Sequence, residues 1–139
     1  MKVVGVDFDA SKALFVVVEG GDDGQLAIVE TRRLQLDDTR SAAAMKAVRD
    51  EIRDFLSAQS ADAISIRAKP ENGQMRAGAA ALKMEAIVMA ESGSADLSFV
   101  SSVKAGKLPD GPGLFAYFQT AYKAAAARLA EKPRSGKKA

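Results

Sequence analysis

Residues 2–36 hold three strand-like runs joined by links too short for anything but hairpins. The middle run, Ala13-Leu14-Phe15-Val16-Val17-Val18-Glu19, is almost continuously apolar and β-branched. Side chains alternate across a strand, so a run apolar on both faces has to be covered on both. A hairpin sheet with one wet face is thereby excluded, and the rest of the chain must supply layers on each side. The first run, Lys2 to Asp9, alternates more clearly: Val4, Val6 and Phe8 share one face, Asp7 and Asp9 the other. Gly20-Gly21-Asp22-Asp23-Gly24 is strong turn chemistry, and Gln25 to Leu36 makes the third strand of an antiparallel meander.

The rhythm then changes. Asp37 to Ser41 offers helix caps, and Met45, Val48, Ile52, Phe55 and Leu56 recur at helical spacing. A fourth strand at 62–67, a loop from Lys69 to Arg76, a helix at 78–90 and a fifth strand at 95–100 follow. A short helical turn near 101–107 and the breaker Leu108-Pro109-Asp110-Gly111-Pro112-Gly113 precede a last helix predicted over 114–130. Three antiparallel strands followed by βαβα units imply an α/β domain with a mixed five-stranded sheet. Right-handed crossovers with short links set the fourth strand parallel beside the first, bringing Arg67 close to Asp7. One domain is expected over 1–131.

Composition narrows the chemistry. Cysteine and histidine are both absent, which removes disulfides, thiol nucleophiles, zinc-thiolate sites and every His-based triad. No run approaches the roughly 20 apolar residues of a membrane span, and no leader precedes the first strand, so a cytoplasmic protein without membrane contact is expected. The net charge of +2 is misleading: the last eight residues carry four cations and no anions, leaving residues 1–131 at −2. That tail, 132–139, is expected to be disordered, serving either as a solubilising end or as a phosphate-contacting arm.

The order of elements resembles the ribonuclease H-like fold and, within it, the RuvC-like Holliday-junction resolvase branch. The resemblance is carried by Gly5-Val6-Asp7, the meander, "AISIR" at 63–67 and "GAAALKMEAIVMAESGSADLSFVSSVKAGK" at 78–107. The whole chain also resembles a small uncharacterised bacterial family of such domains. What the resolvase resemblance implies is a set of three or four carboxylates holding two Mg²⁺ or Mn²⁺ ions for phosphodiester hydrolysis. Asp7 matches the first position. The second would lie on or just after the fourth strand, where the chain reads Ile66-Arg67-Ala68-Lys69, with Glu71 the nearest acid; the final helix carries no carboxylate in Leu114 to Tyr122.

Three further carboxylates can be weighed. Asp9 is either a replacement metal ligand or a solvated strand end. Asp110 could reach inward or serve the turn. Glu85 has apolar or small helical neighbours (Gly78, Ala81, Leu82, Val88, Met89), so it should lie at the edge of the helix-sheet interface, as half of an ion pair or as a site carboxylate. Arg67, Lys69, Arg76 and Lys83 form a positive stretch suited to phosphate, with simple solvation as the alternative. Phe115, Phe118 and Tyr122 would share the inner face of the last helix, with a homodimer contact as the second account, and Tyr117 lies off that stripe.

Two functions follow. The first is a catalytically reduced ribonuclease H-like domain that binds nucleic acid or phosphate, or acts as an interaction module. The second is a Mg²⁺- or Mn²⁺-dependent nuclease using Asp7 with Asp9, Glu85 and Asp110.

Overall fold

The computed structural model describes residues 1–73 and 76–131; the basic tail lies outside them. Strands β1 (Lys2–Asp9), β2 (Lys12–Gly20) and β3 (Leu26–Gln35) form the meander. Ala10 and Ser11 link β1 to β2, with Ala10 in the left-handed region (φ 54°) that a two-residue hairpin turn requires. Helix α1 (Ala42–Gln59) is capped by the Ser41 hydroxyl, which accepts from the Ala44 N–H at 3.1 Å. Strand β4 (Ala63–Arg67), α2 (Ala79–Ala90), β5 (Asp96–Val100), the single turn α3 (Ser102–Gly106) and α4 (Gln119–Leu129) complete the chain.

The sheet order is β3-β2-β1-β4-β5, with β4 and β5 parallel to β1. Helices α1 and α2 cover one face, where Val4, Val6, Phe8, Phe15 and Val17 meet Ile52, Phe55, Met84 and Val88. On the other face Val3, Leu14, Val16 and Val18 meet Phe118, Ala121, Tyr122 and Ala125. The continuous apolar run of β2 is thus buried from both sides, as its composition demands. Helix α4 comes so close to the sheet at Gly5 that a Cβ there would overlap the Ala121 carbonyl oxygen. Gly5 and the alanines of α4 are matching halves of one close approach.

The last helix departs from the predicted span. It begins at Gln119, after a 3₁₀ turn over Ala116–Phe118. The Gln119 side chain accepts from the Gly111 N–H at 2.7 Å and donates to the Gly111 carbonyl at 2.9 Å, and Gly113 takes φ 73°. These hold 111–115 as a loop, so Phe115 leaves the helical stripe. Phe118 and Tyr122 pack inward as expected, while Phe115 is 70% exposed. No helix among the described residues is long and apolar enough to cross a membrane.

Candidate functional site

The carboxyl ends of β1, β4 and β5 meet at one edge of the sheet, where open α/β sheets commonly receive ligands. The parallel register pairs Val6 with Ile66, so the next residues, Asp7 and Arg67, stand side by side on the α4 face. Arg67 Nε donates to Oδ1 of Asp7 at 3.0 Å, Nη2 lies 2.9 Å from the same oxygen as an ion-pair contact, and Nη1 donates to the Ser102 hydroxyl at 3.0 Å. Asp7 is only 5% exposed. Burial pushes its carboxyl above the ordinary aspartate pKa; the Arg67 charge and hydrogen bond oppose this, with smaller help from Lys69 and the Phe8 N–H.

A guanidinium has five N–H donors. Two are used in hydrogen bonds to Asp7 and Ser102, so donors on Nη1 and Nη2 remain for an incoming oxygen. Beside them opens a notch of about 500 Å³ lined by Ala10, Arg67, Lys69, Arg76, Gly78 and Ser102. The loop bordering it is closed by the Ala77 N–H donating to the Pro70 carbonyl at 2.6 Å, and Arg76 Nη1 donates to Gly73 O at 3.1 Å. Gly78, which caps α2 and lines the notch, brings no side-chain acceptor, so the first N–H groups of α2 have no side-chain cap. Arg67, Lys69 and Arg76 therefore give the notch positive charge and donors, beside the apolar Pro70, Ala77 and Ala81.

The other candidates lie elsewhere. Lys83 is not among the residues that line the notch: its ammonium donates to the Thr39 carbonyl ahead of α1, and its stem borders the groove between α1 and α2. Asp110 pairs with Lys123 at 2.8 Å. Asp9 is exposed at the hairpin. Glu85 is half-buried, and no cation lies within 4.0 Å of it among the described residues, so the ion pair considered from sequence is not formed there. Burial, then the nearby Glu71 charge, pushes its pKa up. Ser102 was missed by sequence reasoning. It stands one residue after Ser101, which caps α3, and the Ser-Ser pair at a strand end was its only signal.

Divalent metal does not fit these residues. Among the described residues no three acidic side chains converge closely enough to hold an ion. Asp7, the one buried carboxylate among the described residues, already accepts a hydrogen bond from Arg67 Nε at Oδ1 and has Nη2 of the same guanidinium 2.9 Å from that oxygen.

The fold is that of the ribonuclease H-like, RuvC-like group. Thermus thermophilus RuvC in complex with a Holliday junction substrate superposes with a TM-score of 0.73 at 11% identity, over 93% of each chain. The yeast mitochondrial Holliday junction resolvase Ydc2 gives 0.56 at 11% identity, over 76% of this chain and 52% of its own. The Fowlpox virus resolvase with its junction DNA gives 0.50 at 9% identity, over 81% and 66%. No curated protein matches the chain in sequence. Residues 1–127 match the family model described as protein of unknown function (DUF3010), and the chain belongs to that family.

Proposed function

We propose that the protein is a catalytically reduced ribonuclease H-like domain that binds nucleic acid, taking backbone phosphate in the notch at the carboxyl ends of β1, β4 and β5. The observation that carries this is Arg67: held by a buried carboxylate through an Nε hydrogen bond and an Nη2 ion-pair contact, it keeps unused donors beside Lys69 and Arg76. A guanidinium fixed in this way loses little freedom on meeting a phosphate. Asp7 thus acts as a positioning residue for a cation instead of a metal ligand. The junction-bound RuvC and Fowlpox virus resolvase structures, alike in fold, support the choice of nucleic acid over a small phosphate.

The test is fluorescence anisotropy of the full chain with a labelled four-way DNA junction across a salt series. Because Arg67 also supports the fold, Lys69→Gln and Arg76→Gln are the informative variants. Each is expected to weaken binding and to lower the log–log salt slope by about one. Junction binding that neither variant alters would sink the notch. Removal of 132–139 is expected to weaken binding chiefly at low salt, through charge alone.

A further inference from the structure

The α4 face carries a second feature at the same end of the sheet. Asp7 pairs with Leu14 on β2, and Leu14 with Arg33 on β3. Directly opposed residues share a face, so Arg33, Leu14, Asp7 and Arg67 form one row across four strands. At the usual strand spacing of about 4.8 Å, Arg33 and Arg67 are roughly 14 Å apart along it. The Arg33 guanidinium carbon lies 5.5 Å from the Tyr117 ring centroid. Tyr117 in turn stacks on Phe115, centroids 5.5 Å apart and planes within 6°.

These rings are exposed, Phe115 at 70% and Tyr117 at 42%. They are also held in place: the Gln119 clamp on Gly111 anchors the loop, and Gly111 sits against Tyr122 so closely that a Cβ would meet the ring at 2.8 Å. A groove of about 310 Å³ runs beside Phe115, between Thr31 of β3 and Pro112 and Leu114 of the loop. Parallel open rings next to a cation suit a flat, polarisable partner with an anionic backbone. Arg33 has no carboxylate within 4.0 Å among the described residues, so its charge is left for that backbone.

We infer that Phe115 and Tyr117 form a stacking platform for an unpaired base. The same strand then passes its phosphates over Arg33 toward Arg67. This rests on the nucleic-acid reading above and narrows it: bases within a duplex are already stacked and cannot reach the platform, so the favoured ligand carries unpaired nucleotides, as a single strand or the centre of a junction does.

The test compares wild type, Phe115→Ala and Lys69→Gln in anisotropy with labelled oligothymidylate and with a labelled duplex of equal length. Phe115 is exposed, so its loss leaves the fold intact. Phe115→Ala is expected to weaken oligothymidylate binding about tenfold, with duplex binding and the salt slope unchanged. Lys69→Gln should weaken both. A direct readout exists as well. The chain has two tyrosines and no tryptophan, and Tyr122 is buried, so oligothymidylate should quench the emission of Tyr117. Equal loss for both ligands, or none, would overturn the platform while leaving the notch standing. Wild type that binds neither ligand would sink the underlying reading too. If sedimentation shows that Phe115→Ala splits a dimer with nucleic-acid binding unchanged, the rings serve a protein contact and the platform is wrong.

Discussion

Removing Arg67 should expose how much the fold depends on a site-facing cation. In Arg67→Met the aliphatic stem is kept and the Asp7 carboxylate, 5% exposed, loses its counter-charge. Breaking a buried pair from one side typically costs about 3–5 kcal/mol, because a charge is stranded away from water. The side chain of Arg67 retains 21% exposure, so water can reach the vacated space and the lower end, about 3 kcal/mol, applies. With a urea m-value near 2 kcal/mol/M, the unfolding midpoint should fall by about 1.5 M. The pH dependence sharpens the test. Burial already raises the Asp7 pKa and Arg67 opposes that rise, so the variant's carboxyl moves further up. A raised folded pKa gives stability that is present below the unfolded value, about 3.9, and is lost as pH rises through the folded one. The deficit against wild type should therefore be full at pH 7 and shrink on acidification. Adding Asp7→Asn to Arg67→Met removes the stranded charge and should recover much of the loss. A midpoint shift below about 0.5 M, or a deficit independent of pH, would refute the claim that Asp7 relies on Arg67.

Two more substitutions probe the frame of the site. Gly5→Ala forces a methyl into the Ala121 carbonyl and should cost about 3 kcal/mol or more, read as a lower thermal midpoint; a melt matching wild type would mean α4 can lift from the sheet. Glu85→Gln relieves a carboxylate whose pKa is raised by burial and Glu71, so the variant should melt higher than wild type at pH 7, with the gap closing below the ordinary glutamate value near 4.3. A constant gap across that range would assign the effect to packing.

Much of this architecture is legible in the residues themselves. Apolar continuity in β2 demands two covering layers, and short links demand the meander; crossover handedness then places Arg67 beside Asp7. What periodicity could not read was the start of α4. The stripe of Phe115, Phe118 and Tyr122 fits a helix, but the Gln119 clamp and the left-handed Gly113 act across the loop and stop the helix short. Lys83 followed the same logic of proximity along the chain, yet its direction around α2 carries it to Thr39. Ser102 escaped because a hydroxyl has no sequence signature until a guanidinium is aimed at it.

The order of the strands bears on how the domain assembles. β1, β2 and β3 close by hairpins, whereas Asp7 and Arg67 are 60 residues apart in sequence. Local pairings precede distant ones because each distant contact must first overcome the entropy of closing a long loop. The seam between β1 and β4 is thus expected to zip late, and the notch built across it exists only in molecules that have finished folding. Substitutions at that seam should speed unfolding far more than they slow refolding. A partly folded chain has the meander but no place for a phosphate.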